Sequence, residues 1–372
     1  MNVVLREGME TRAAGRAETS LAVIDCDVHQ AMRNPADLRP YLSERWWNHL
    51  VTYGQRRRLG PAKGPAYPKG QPGAMRRDAW PEDGGRPGSD LGLMQRQHLD
   101  PNHVAFAILN PLTPSGQGLQ DPELSTAVCG AVNRWQVDAW TSRDARLRAS
   151  IVVPYEDGAA ASAEIARWAG DKNFAQVLLL SRTAEPLGQR RYWPIYEAAE
   201  HAGLPVGIHA FGYGGQPISG SGWPSFYIEE MSGHAQCAQA QLTSLVMEGV
   251  FARFPRLSVV MTEAGFAWLP SLLWRLDKLW LRMRDEVPHV KEPPSSYLRR
   301  QVWLTTQPME EPEHRRHFRD ILAWIGADRL LFASDYPHWD FDDPAEAFPI
   351  ALDEATRHGV FFANAAALYR LE

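Results

Sequence analysis

Eight short apolar runs, most of them followed by a helix-patterned segment, constrain the fold of this chain more than any other feature. They are LAVIDCDVHQ (21–30), VAFAILNP (104–111), LRASIVVP (147–154), FAQVLLL (174–180), LPVGIHA (204–210), LSVVMTE (257–263), QVWLTT (301–306) and RLLFASDYP (329–337). Short continuous apolar runs are what a parallel sheet buried on both faces requires. Helical periodicity lies between them: Leu124, Val128, Val132, Trp135 and Val137 gather near one face of Glu123–Arg143. Comparable segments are expected at 158–170, 192–202, 234–251, 267–285, 312–326, 344–357 and 363–370. Eight β/α units over roughly 350 residues predict an α/β fold, a (β/α)8 TIM barrel with loop insertions, with a doubly wound sheet as the alternative.

The rhythm fails between the first two runs, so residues 30–103 are expected to form an insertion after the first strand. Tyr41–Leu50 reads as a short helix, and Gln55–Gly88 is rich in Gly, Pro, Arg and Lys. A connection this long inside a compact domain is either disordered or a functional lid, and its position directly after the first strand favours a lid. Arg56, Arg57, Arg58, Lys63, Arg76 and Arg77 are the cations that could reach a substrate carboxylate, with Arg57 and Arg58 taken as binding candidates. Residues 1–20 read as a disordered polar tail without the apolar core of a signal peptide, and 21–372 as one domain. No window approaches the length of a membrane span. The net charge of −5, without a long basic run, argues against nucleic acid and anionic membranes as partners. Three widely spaced cysteines predict reduced thiols in a cytoplasm. Fourteen tryptophans suit pockets and subunit interfaces.

Barrel chemistry sits where strands end at their C-termini. Alternation along the first strand puts Asp27 and His29 on one face, Asp25 behind them on the same face, and Cys26 and Val28 opposite. The fifth strand ends at His209, the sixth at Glu263 and the eighth at Asp335, while Asn110, Pro154 and Ser181 end the second to fourth. Five carboxylate or imidazole groups would thus meet at one mouth, which is costly to desolvate without a cation. His234, at the start of a helix above that mouth, is a candidate acid or base alongside Glu263 and Asp335. His338 is read as a substrate contact, and Trp223, Phe226 and Tyr227 as walls for a flat substrate or as a dimer contact.

The segments VIDCDVH (23–29), LPVGIHA (204–210), FARFPRLSVVMTEAGFAWLP (251–270), LLFASDYPHWD (330–340) and FANAAALYRL (362–371) resemble the amidohydrolase superfamily. Within it they resemble the amidohydrolase-related group that includes aminocarboxymuconate-semialdehyde decarboxylase, and PLGQRRYWPIYEAAEHAGLP (186–205) matches in style. The resemblance implies metal ligands at Asp27, His29, His209 and Asp335. Glu263 stands where many relatives carry a catalytic histidine, and no lysine ends the fourth strand, where binuclear members carry a bridging one. One divalent ion is therefore expected, zinc first and manganese second. The expected activity is non-oxidative decarboxylation, or related lyase chemistry, on a small aromatic or unsaturated carboxylic acid. The alternatives are hydrolysis of an amide, ester or lactone, and a barrel that binds a small molecule without turnover. Relatives of this kind imply a homodimer.

Overall fold

The computed structural model describes residues 21–55, 74–113, 115–213 and 215–372. Its eight strands are β1 (Val23–Val28), β2 (Val104–Leu109), β3 (Leu147–Val152), β4 (Phe174–Arg182), β5 (Val206–Gly212), β6 (Val259–Thr262), β7 (Val302–Thr305) and β8 (Leu330–Leu331). They pair in chain order, each parallel to the next. Beyond Leu331 the chain continues beside β1. Cys26 N–H donates to the Phe332 carbonyl at 2.9 Å, Asp335 N–H to that of Asp27 at 3.1 Å, and His29 N–H to that of Tyr336 at 2.7 Å. These bonds close the sheet into a (β/α)8 barrel and exclude the open doubly wound alternative. The register sets His209 opposite both Leu180 and Thr262, at the C-terminal ends of their strands.

The helices form where local sequence both starts and stops them. Asp121 accepts from the N–H groups of Glu123 and Leu124, and Pro122 opens the helix Pro122–Gln136. Asp157 caps Gly158–Trp168 in the same way. Trp193–Ala202 ends at Gly203, whose φ of 66° is the left-handed conformation a helix stop favours. Two segments depart from the periodicity. The helix after β5 starts at Tyr227 rather than His234, because the Glu229 carboxylate accepts from Phe226 N–H at 2.7 Å and caps the first turn. Of 344–357 only Glu354–His358 is α-helical, since Pro344 and Pro349 break the pattern before it.

An apolar cluster fills one end of the barrel. Ile24, Cys26, Ile108, Val260 and Leu331 pack with Ala365 and Tyr369 of the C-terminal helix Asn364–Tyr369. The described part of the insertion lies on the barrel. The helix Glu44–Tyr53 forms three residues further on than expected. Residues 74–76 run against 337–339 through Arg76 N–H to the Pro337 carbonyl (3.0 Å) and Trp339 N–H to that of Ala74 (2.9 Å). Among the described residues no helix is long and apolar enough to cross a membrane.

Candidate metal centre

Asp27 and His29 come from the end of β1, His209 from β5, and Glu263 and Asp335 from the residues just past β6 and β8. His29 Nδ1 lies 2.7 Å from the Asn110 carbonyl, and His209 Nδ1 lies 2.5 Å from that of Ala210. A carbonyl can only accept, so Nδ1 carries a proton in each ring and Nε2 is the nitrogen left to bind an ion. Those two nitrogens meet a ring of carboxylates. His29 Nε2 is 2.9 Å from Asp335 Oδ1 and 3.3 Å from Asp27 Oδ1, and His209 Nε2 is 3.3 Å from Asp27 Oδ2 and 3.0 Å from Glu263 Oε2. His338 adds a further nitrogen by hydrogen bonding to Asp335 through Nδ1.

The fit to a cation can be tested on these atoms. Asp27 Oδ2, His29 Nε2 and His209 Nε2 are buried and lack a hydrogen-bond partner of acceptable geometry, although they crowd together. Close approach without hydrogen bonding is what ligands around a shared ion do, and an unsatisfied buried polar atom is otherwise expensive. The donor atoms of Asp27, His29, His209 and Glu263 lie within 4.8 Å of one another, and so do those of His29, Glu263, Asp335 and His338. The residues therefore fit a single divalent ion.

The electrostatics agree. Burial opposes a charged His209, but Asp27 and Glu263 outweigh it and push the imidazole up to about 10. His29 is likewise raised, against burial, by Asp27 and Asp335. Burial pushes the Asp27 carboxyl up, while His209 and His29 hold it well below the usual range. Without an ion the negative potential of the cluster collects protons, and a divalent cation would replace them. Glu263 and Asp335 also hold left-handed backbone, with φ of 54° and 62°. For a residue with a Cβ this costs about 1–2 kcal/mol, a strain that concentrates at functional sites.

The cluster opens into a cavity of about 460 Å³ whose lining includes Trp80, Arg86, Phe211, Tyr227, His234, Trp339 and Asp340. Burial, reinforced by Asp335 and Glu263, raises Asp340 to about 7, so this acid keeps a proton near neutrality. Burial lowers His234, which leaves its ring neutral there.

The amidohydrolase family profile matches residues 24–371. The chain belongs to the amidohydrolase family. It is 25% identical over 297 residues to the gamma-resorcylate decarboxylase of Polaromonas sp. (strain JS666 / ATCC BAA-500), covering 73% of this chain and 85% of that protein. The 5-carboxyvanillate decarboxylase structure from Sphingomonas paucimobilis superposes with a TM-score of 0.68 at 22% identity, over 95% of this chain and 100% of the other. The 5-carboxyvanillate decarboxylase of Novosphingobium aromaticivorans, solved with manganese and 4-hydroxy-3-methoxy-5-nitrobenzoic acid, gives a TM-score of 0.68 at 18% identity, over 96% and 98% of the two chains.

Of the residues that the sequence of this amidohydrolase marks, Asp27, His29, His209, Glu263 and Asp335 meet in one cluster. His338 joins it as a possible ligand as well as a cavity residue. His234 and Tyr227 line the cavity. Trp223 is 46% exposed and is not among the cavity residues. Arg56, Arg57, Arg58 and Lys63 lie outside the described residues. Arg76 is engaged with Asp78 at 2.7 Å rather than lining the cavity. Asp25 corrects the simple alternation. The β1–β2 register shifts between Asp25 and Val28, and the Asp25 carboxylate turns to His98 and Ser334 instead of sharing the site.

Three contributors carry little or no mark in the sequence. Asn110 follows β2 with no strong ligand chemistry of its own, yet its amide donates to Asp27 Oδ1 at 2.8 Å. Asp340 closes the His-Trp-Asp run after Asp335. Arg86 sits in a Gly-Gly-Arg-Pro-Gly stretch with nothing local to mark it.

Proposed function

We propose that this amidohydrolase is a mononuclear, metal-dependent, non-oxidative decarboxylase of a small aromatic carboxylic acid. The observation that carries the reading is the set of orphaned atoms, Asp27 Oδ2, His29 Nε2 and His209 Nε2, opening into a cavity with aromatic walls and the Arg86 guanidinium. The decarboxylase relatives support it, as does the end of β4, where Ser181 and Arg182 stand and no lysine is available to bridge two ions. Asp27, His29, His209 and Asp335 would hold the ion, with Glu263 as a further donor. Three carboxylates against two imidazoles make an oxygen-rich set, so manganese rather than zinc is the ion proposed. The manganese in the Novosphingobium relative points the same way.

When bound, the ion supplies positive charge that holds the substrate carboxylate and a neighbouring ring oxygen. The residues of this chain supply the rest. In the reaction the bond from ring carbon to carboxyl carbon breaks, CO₂ leaves, and its electron pair stays on the ring carbon, which takes a proton. Asp340, which keeps a proton near neutrality and lines the same cavity, is assigned to deliver that proton, while Asp335, hydrogen-bonded to His338, would help hold the ion. Trp80, Phe211 and Tyr227 offer faces to a flat ring. Neutral His234 can hydrogen-bond a ring substituent, and Arg86 can pair with an acidic one.

The test is metal content by inductively coupled plasma mass spectrometry, followed by CO₂ release from a panel of hydroxybenzoic acids. About one manganese per wild-type chain is expected, lost in Asp335→Asn and His209→Ala together with CO₂ release. Acid release from esters or lactones without CO₂ would replace the decarboxylase with a hydrolase. Protein that neither holds nor regains a metal would remove the enzymatic reading.

A further inference from the structure

The segment carrying Asp335 is gripped by a buried network in which neither the ion nor the substrate takes part. Asp25 is fully buried. Its Oδ1 accepts from the N–H groups of Asp27 (3.1 Å) and Ser334 (3.0 Å), and its Oδ2 accepts from the Ser334 hydroxyl (2.5 Å) and His98 Nε2 (2.6 Å). The Asn102 amide Nδ2 faces His98 Nδ1 at 3.0 Å, so that nitrogen accepts and Nε2–H is the end presented to Asp25. The His98 ring stacks on Tyr336, with centroids 5.2 Å apart and planes 8° from parallel. Tyr336 in turn donates its hydroxyl to Gln97 Oε1 at 2.9 Å and its N–H to Ser334 Oγ at 3.1 Å.

Both neighbours of Asp335 are therefore held by one turn of the insertion, Gln95–Leu99, and by a carboxylate two residues before Asp27. Asp335 itself adopts left-handed backbone, which persists only when its surroundings over-determine it. We infer that the Gln95–Leu99 turn, acting through Asp25, His98 and Ser334, is a positioning device that sets Asp335 against Asp27 and so tunes the affinity of the site for its ion. This rests on the metal reading above. It assigns the insertion a part in the site that is separate from any covering role. The competing view is that the network only seals the β1–β8 seam. That view predicts lost stability with unchanged metal binding.

Calorimetric titration of manganese into chelator-stripped protein separates the two, with melting temperatures measured alongside. The variants are Ser334→Ala, His98→Gln, Ser334→Thr and Gln301→Ala. Gln301 is a buried control remote from the site, bonded to the carbonyls of Phe254 (2.8 Å) and Leu257 (3.1 Å). Ser334→Ala and His98→Gln should weaken manganese binding about 10- to 100-fold, as loss of a group that orients a ligand typically does. Ser334→Thr, which keeps the hydroxyl, should recover most of the affinity. Gln301→Ala should lower the melting temperature and leave the affinity alone. If Ser334→Ala does not fold, His98→Gln carries the same comparison. Wild-type affinity in the destabilised Ser334 and His98 variants would overturn the positioning role while leaving the functional reading intact. Wild-type protein that binds no divalent ion would overturn both.

Discussion

His209 shows what the cluster does to a single side chain. Its ordinary imidazole pKa is about 6.5, and in the metal-free fold it is pushed up to about 10 by Asp27 and Glu263 against burial. A raised imidazole stabilises the metal-free fold fully below its unfolded value, and that contribution is lost as pH rises through about 10. Metal binding runs the opposite way, because a ligand imidazole must first release its proton. Manganese affinity is therefore expected to rise between pH 6 and 8, by about tenfold per pH unit for each proton displaced. Calorimetry in buffers of different ionisation heat would count those protons. A flat profile would mean that the histidines are not ligands. His209 was legible in the sequence because it ends an apolar run. Asp340 was not, because its raised pKa depends on burial and on Asp335 and Glu263, which come together only in the fold.

At the scale of elements, the strands are legible in the sequence and the path of the insertion is not. A strand buried on both faces announces itself as a continuous apolar run, whereas Ala74–Gly88 has no period and gets its place from contacts with 337–339 and from Ala31 N–H donating to the Gly88 carbonyl at 2.8 Å. That contact puts Arg86 among the residues that line the cavity. Arg86→Ala should raise KM for an acidic aromatic substrate about tenfold or more, in line with loss of a charge-assisted hydrogen bond, and leave kcat within about twofold. Steady-state kinetics across substrates with and without a second acidic group would read this directly. An unchanged KM would show that Arg86 does not meet the substrate. The helix Tyr227–Met247 is a milder case: its first turns carry exposed Ile228 beside Glu229 and Glu230, so no buried stripe marks its start.

For the whole molecule, the centre joins the first and fifth strands to residues beyond the sixth and eighth, so an ion there would tie the barrel to itself. Binding at a hundred times its dissociation constant would stabilise the folded state by about 2.7 kcal/mol. Manganese is accordingly expected to raise the melting temperature of chelator-stripped protein by a few degrees, with the gain growing with concentration. Asp335→Asn should flatten that response. Differential scanning calorimetry checks both, and an equal gain in the variant would place the ion elsewhere.

The sequence by itself determined the barrel and the greater part of its centre. Eight buried strands must be largely apolar, and several of their carboxylate and imidazole exceptions fall at the C-terminal ends that a parallel barrel gathers on one rim. Asp27, His29, His209, Glu263 and Asp335 could be named for that reason. Only the tertiary structure decided the direction in which Asp25 turns, the pairing of His338 with Asp335, and the place of Arg86 and Asp340 in the cavity. Asp25 meets Ser334 across 309 residues of chain. A contact of that range leaves no trace in local periodicity, because it is set by strand register and loop packing once the barrel has closed.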